Sequence, residues 1–285
     1  MLDRLLRAAY RRLHPTARNN LRTWLALEQR DCEPPSIANY AVRSVLVLAP
    51  HSDDEVIGCG GTMARHVQSG AQVHVAFLTD GRWGDGALFS PQLSATERHT
   101  RQLALVATRK DEARAAAAVL GVQHLHFLDL PDGALQVNAH AVQLLTDVLH
   151  SSQPSVVYLP FVFDLHQDHW QTNRLFAAAA ARLPASLAKP LLVRGYEVWS
   201  PLVANCFSDI TAVMSLKRSA LSQFASQLRD QNYLRIVEGL NAYRSNGALH
   251  GMGFAEAFHE APLAAYQRLV QAAELKSQRL RLPTP

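Results

Sequence analysis

Only three cysteines occur in 285 residues, Cys32, Cys59 and Cys206, and they stand far apart. They form no Cys-x-x-Cys pair and cannot build a disulfide framework, so a reducing, cytoplasmic setting is expected. No run of about 18 apolar residues is present, which excludes a membrane-spanning helix. Charge begins at Asp3, so the start does not read as a signal peptide. Charged residues are sparse at 18%, and the net charge of +4 permits an anionic partner without demanding one; no nucleic-acid partner is expected. Internal repeats and low-complexity segments are missing. The alanine runs at 115–118 and 177–181 read as helix filler. What remains is a soluble composition, 48% hydrophobic, with enough apolar residues for a large core.

The richest stretch begins at Val45-Leu46-Val47-Leu48, four apolar residues that read as a short buried strand stopped by Pro50. His51, Asp53, Asp54 and Glu55 follow within five positions, then Gly58, Gly60 and Gly61, and a helical pattern resumes from Thr62 to Gln68. Three carboxylates beside one histidine would repel each other at a dry strand end. A divalent cation removes that difficulty, since carboxylate and imidazole are ordinary zinc ligands. A second cluster, His166-Gln167-Asp168-His169, stands just past another apolar run ending at Tyr158-Leu159-Pro160. The glycines do not fit the Gly-x-Gly-x-x-Gly spacing of a dinucleotide loop.

Elsewhere strands and helices alternate. Strands are expected at 73–78, 125–128, 156–159 and 191–198, with helices at 94–120, 141–149 and 170–182 and a C-cap at Gly121. This alternation predicts an α/β fold, a Rossmann-like, mainly parallel sheet with helices on both faces. Past Pro201 an edge strand over 207–213 and helices over 216–228 and 264–275 are expected. The loop from Gly81 to Ser90, with Arg82, Trp83 and Asp85, is either a pocket wall or plain surface.

The two clusters together resemble the PIG-L/LmbE-like de-N-acetylases, whose hallmarks are an Ala/Pro-His-Pro-Asp-Asp-Glu loop and a His-x-Asp-His loop. They stand here as Pro50-His51-Ser52-Asp53-Asp54-Glu55 and His166-Gln167-Asp168-His169, with Ser52 in place of the usual proline. Weaker likenesses arrive in the family's order, from Thr79-Asp80-Gly81 and Leu130-Pro131-Asp132-Gly133 to Lys217 and Ala255-Glu256-Ala257-Phe258; together they span 43–258. The resemblance implies one zinc ion per chain held by His51, Asp54 and His169. It implies Asp53 as general base, and His166, as imidazolium, facing the oxyanion and protonating the leaving amine. Asp168 would orient His166 or His169, Arg109 and Asp132 would lie near substrate, and Glu55 would be structural, bonding backbone amides. The implied reaction removes acetyl from an N-acetylated amino sugar. Other readings are deacetylation of a small soluble thiol or antibiotic glycoside, a metal phosphoesterase, and a non-catalytic metal-stabilised binding protein.

Residues 1–40 are expected to form a helical arm and linker before a deacetylase domain over 41–285. Leu2, Leu5, Leu6, Ala9 and Leu13 make an apolar stripe beside Arg4, Arg7, Arg11 and Arg12. Such an element either packs on the domain or lies on anionic lipid, which would bring the site to a lipopolysaccharide or surface-glycan precursor at the cytoplasmic membrane face.

Overall fold

A computed structural model of the chain describes residues 36–279, with Tyr10 and Ala17 apart from them. The expected N-terminal arm therefore lies outside the described residues. A seven-stranded sheet runs in the order β3-β2-β1-β4-β5-β7-β6. Its strands are β1 (Ser44–Ala49), β2 (Gln72–Thr79), β3 (His124–Leu130), β4 (Val156–Pro160), β5 (Leu192–Tyr196), β6 (Cys206–Asp209) and β7 (Ala255–Pro262). The first five pair in parallel, while β7 runs antiparallel to both β5 and β6.

The helices are α1 (Asp54–Gln68), α2 (Ala95–Leu120), α3 (Ala139–Ser152), α4 (Gln167–Ala180), α5 (Ala185–Ala188), α6 (Met214–Leu221), α7 (Ala225–Leu228), α8 (Tyr233–Leu249) and α9 (Leu263–Arg279). Val45, Val47 and Ala49 of β1 face one core with residues of α1, α2 and α6; Leu46 and Leu48 face the other with residues of α3, α4 and α9. A strand covered on both faces must be apolar throughout, which is why β1 reads as a continuous hydrophobic run. The expected helix over 94–120 begins at a capping box of Ser94 and Glu97 and ends at left-handed Gly121.

Three expectations change beyond Pro201. The edge strand is shorter, and 211–213 form a 3₁₀ turn after it. The helix expected over 216–228 is broken into α6 and α7 by a turn at Ser222–Phe224. Helix α8 and strand β7 answer to no expected element. In Ala-Glu-Ala-Phe-His-Glu-Ala-Pro the alternation of polarity breaks at Ala257-Phe258 and again at His259-Glu260, so the period-2 signal of β7 is faint.

The strand order reverses between β1 and β4. Chain leaving β1 goes to one side of the sheet, and chain leaving β4 to the other. The two carboxyl ends therefore open a crevice, the place where open parallel sheets bind ligands.

Candidate active site

Both histidine–carboxylate clusters meet in that crevice, one from the β1–α1 loop and one from the β4–α4 loop. Thr79 pins the first by donating from its backbone N and from Oγ1 to the carbonyl of Pro50, at 3.0 and 2.8 Å. Asp53 then takes a backbone φ of 144°, a strained conformation for a residue with a Cβ. Its amide donates to Glu55 Oε2 at 3.0 Å, so Glu55 does bond a backbone amide at the start of α1.

His51, Asp54 and His169 converge. Asp54 Oδ2 lies 3.1 Å from His51 Nδ1 and 3.2 Å from His169 Nε2. The ligand atoms of His51, His166 and His169 also come within 4.8 Å of one another, as do those of His51, Asp132 and Asp168. His51 belongs to every one of these groupings. Burial opposes ionisation of Asp54, but His169 and His51 outweigh it and hold the carboxyl well below its usual range.

His169 tests whether a cation fits. The ring is fully buried, and neither nitrogen makes a hydrogen bond, although Asp164 Oδ1 lies 3.1 Å from Nδ1 and Asp54 Oδ2 lies 3.2 Å from Nε2. Burial disfavours the charged ring, but Asp54 and Asp164 prevail and push it up to about 9. A cation between Nε2 and Asp54 would take the proton's place, leaving Nδ1–H facing the Asp164 carboxylate. That is the carboxylate–histidine–metal arrangement that fixes a ligand's tautomer. The donor set fits a metal.

Asp164 was not among the expected residues. Its carboxylate also accepts from the amides of His166, at 3.2 Å, and Trp199, at 2.9 Å, so it ties the β4–α4 loop together. The signal was an aspartate four residues beyond a strand end, outside the His-x-Asp-His motif. Asp168 does something other than expected. It accepts from the amides of Gly133 and Leu135 at 2.8 and 3.2 Å and lies 3.3 Å from His51 Nε2, so its carboxylate serves the β3 loop and His51. Asp132 reaches the same nitrogen at 3.2 Å and accepts from the amide of Trp83.

His166 stands at the start of α4. Its Nδ1 accepts from the amide of Asp168 at 3.2 Å, capping the helix. An accepting Nδ1 carries no proton, so the resting ring is the neutral Nε2–H tautomer. Burial, with the charges of His51 and His169, lowers its pKa in the same sense.

Arg109 crosses from α2 beneath Asp53. Its Nη2 donates to the carbonyl of Ser52 at 2.9 Å and lies 3.5 Å from Asp53 Oδ1, while Nη1 donates to the carbonyl of Gly81 at 3.3 Å. A side chain on Gly84 would collide with the guanidinium, so glycine there lets the loop close over it. Burial raises the Asp53 carboxyl to about 7 against the pull of Arg109.

Above these groups lies a cavity of about 530 Å³, bounded by His51, Asp53, Asp54 and His166 and walled by Trp83, Phe89, Trp199 and Tyr233. The Gly81–Ser90 loop is thus a pocket wall. Trp83 stacks on Phe89 with centroids 5.4 Å apart, and Trp199 meets Tyr233 edge-on at 6.4 Å. Cys59 is buried, donating weakly to the carbonyl of Glu55, and burial pushes its thiol well up; it behaves as a small hydrophobe.

Known proteins resemble this chain in sequence and fold. Residues 46–180 match the PIG-L family model, described as GlcNAc-PI de-N-acetylase. Diacetylchitobiose deacetylase of Thermococcus kodakarensis is 30% identical over 217 residues, 69% of this chain and 76% of that protein. The 4-oxalmesaconate hydratase of Pseudomonas putida is 28% identical over 236 residues, 76% of this chain and 87% of that protein. Among solved structures, the N,N'-diacetylchitobiose deacetylase of Pyrococcus horikoshii superposes with a TM-score of 0.63 at 25% identity, covering 84% of this chain and 90% of that one. With its paired histidine–aspartate loops at the β1–β4 crevice and these likenesses in sequence and fold, the chain belongs to the PIG-L/LmbE-like deacetylase family of amidohydrolases.

Proposed function

We propose that the chain is a zinc-dependent hydrolase that removes acetyl from an amino sugar of the N-acetylglucosamine or N-acetylgalactosamine type. The observation that carries this reading is the convergence of His51, Asp54 and His169 beside Asp53 at the floor of a cavity with aromatic walls. These three residues would hold the ion, which, when bound, polarises an amide carbonyl and acidifies a neighbouring water.

The chain's own groups supply the rest. Asp53 accepts a proton from the attacking water as the water oxygen bonds to the acetyl carbon. The Nε2–H of His166, which lines the cavity, donates to the carbonyl oxygen as negative charge builds there. A neutral ring cannot readily give up that proton, so Asp53 returns its own to the nitrogen as the C–N bond breaks, leaving a free amine and acetate. Arg109 keeps the Asp53 carboxylate aimed through both exchanges. The flat faces of Trp83 and Trp199 suit the apolar face of a pyranose ring.

For the aglycone, the reading is a lipid-linked precursor of lipopolysaccharide or another surface glycan, met at the cytoplasmic membrane face. Two features support it. Residues 1–14 carry the apolar stripe flanked by four arginines. Around the site, Phe89 is 67% exposed and Leu165, between Asp164 and His166, is 81% exposed. No helix among the described residues is long and apolar enough to cross a membrane, so contact would be peripheral. A small soluble glycoside is the competing substrate. Acetate release from a panel of free, soluble-glycoside and lipid-linked N-acetyl sugars tests the reading, with binding to anionic vesicles measured alongside. Acetate from none of them rejects the deacetylase. Turnover of soluble glycosides alone, without vesicle binding, rejects the lipid-linked substrate.

A further inference from the structure

The mouth of the cavity has two unlike banks. The crevice lies between β1 and β4, so the loop after β2 stands on one side of it and the loops after β4 and β5 on the other. The first bank carries charge at its rim. Asp85 lies 3.7 Å from Arg229, and Asp230 accepts from the amide of Gly86 at 3.4 Å.

The second bank shows no charge to solvent. Over 161–165 and 198–205 the only charged side chain is Asp164. It is buried and turned inward, 3.1 Å from His169 Nδ1 and accepting from the amides of Trp199 and Ser200 at 2.9 and 3.4 Å. Glu197, just before the second loop, is also buried and accepts from Arg244. What these loops expose is apolar: Phe163, Leu165, Trp199 and Val203 are between 44% and 81% exposed. Ser200 Oγ ties the loops together by donating to the Phe163 carbonyl at 3.3 Å. Val198 and Trp199 line the cavity, and so does His166, the neighbour of Leu165. An apolar face therefore starts at the cavity wall and runs outward over Phe163 and Leu165. Apolar side chains gathered at one place on a surface, rimmed by polar ones, mark a binding face.

We propose that this face is a subsite for an alkyl or acyl chain of the substrate, which is then an N-acetylated amino sugar whose apolar aglycone is bound by the protein itself. The proposal rests on the deacetylase reading above. The occupant follows from continuity with the cavity. A substituent that leaves the bound sugar on the β4–β5 side must cross Trp199 and Leu165. A chain of methylenes covers those side chains and leaves no polar group unpaired. A second sugar in the same place would lay its hydroxyls on a surface with no charged side chain to meet them.

The test measures KM and kcat for acetate release from methyl, butyl and octyl N-acetylglucosaminides, each below its micelle-forming concentration, with zinc-loaded wild-type protein. KM should fall about twofold per added methylene, since an open face covers each one about halfway, while kcat stays level. In Phe163→Ser/Leu165→Ser the dependence on chain length should collapse, whatever the absolute rate on the methyl glycoside. Acetate from none of the glycosides rejects the deacetylase reading itself. Acetate from all three at one KM leaves that reading standing and overturns the apolar subsite. A chain-length dependence that survives in the double variant overturns it too, because the chain then binds elsewhere. A flat KM with vesicle binding lost in the double variant gives the face to a bilayer, and a flat KM with self-association lost gives it to a second copy; either result overturns the proposal.

Discussion

Asp53 combines three properties seldom found in one side chain: a strained backbone, deep burial and a guanidinium 3.5 Å away. Strain of this kind persists only where the surroundings hold it, and here Glu55 and Arg109 do so. Asp53→Asn should keep its metal and lose turnover by about 10²–10⁴, because an amide cannot accept the proton. Metal content near zero, or turnover near normal, would remove Asp53 from its role. Arg109→Met should also keep metal while lowering kcat by about 10–100-fold, since it removes the donor to the Ser52 carbonyl and leaves Asp53 free to turn. A fall in metal content equal to the fall in rate would make Arg109 a scaffold for the ligands instead. His66 shows a residue whose importance the sequence concealed. It is buried between the Tyr40 carbonyl and the Tyr158 hydroxyl, each at 2.9 Å, and burial lowers its pKa to about 4. The unfolded chain takes up a proton first, near pH 6.5. The stability gained by burying a neutral ring is therefore whole above pH 6.5 and drains away as pH falls toward 4, by up to about 3 kcal/mol. His66→Gln should flatten that part of the stability–pH curve, read from urea midpoints. An unchanged slope would place the acid sensitivity elsewhere, with His74 the next candidate.

At the scale of elements, helix α1 is broken. Cys59 leaves helical geometry at φ −146°, ψ 24°, which frees backbone groups on either side. A fully buried ion pair collects them: Lys217 of α6 donates to the Ile57 carbonyl at 2.9 Å and to Glu256 of β7 at 2.6 Å, and Glu256 accepts from the amides of Gly61 and Thr62, both at 2.8 Å. Gly58 sits at the same break because any side chain there would strike the Tyr196 ring. The pair thus fixes the helix whose first turn carries Asp54. Lys217→Met should destabilise the fold by about 3–5 kcal/mol, since it strands a buried carboxylate, and adding Glu256→Gln should restore part of that loss. A double variant no more stable than the single would show that the pair does not act as a unit. In the sequence, Lys217 and Glu256 were visible only as resemblances. Their partnership spans 39 residues and two elements, and local pattern cannot report such a contact. The glycines at 58, 60 and 61 deferred the expected helical pattern to Thr62, whereas α1 already starts at Asp54 and is only interrupted at Cys59.

At the scale of the molecule, the legible part of the fold was the part governed by local periodicity. Strands β1, β2 and β4 are apolar because both faces are covered, and α2 declares its ends with Ser94, Glu97 and Gly121. Helix α8 and strand β7 were obscure because their burial depends on a sheet edge built by distant strands. The site divides in the same way. His51, Asp54 and His169 were legible in two short motifs, and topology alone brings those motifs together, across 115 residues, at the β1–β4 crevice. Asp164 and the walls of Trp199 and Tyr233 were not legible, since each takes its meaning from the folded pocket. One relative of the chain is named as a hydratase, so the fold by itself does not fix the reaction. If this crevice hydrolyses an acetamide with a metal held by His51, Asp54 and His169, the decisive readout is acetate released from an N-acetylglucosaminyl glycoside by wild-type protein as purified, after chelation, and after reloading with one zinc ion per chain. Acetate should appear in equal amount to free amine, vanish on chelation and return on reloading, with no return in Asp54→Ala. Undiminished acetate release from the fully chelated protein, or full recovery in Asp54→Ala, would contradict that role of the metal.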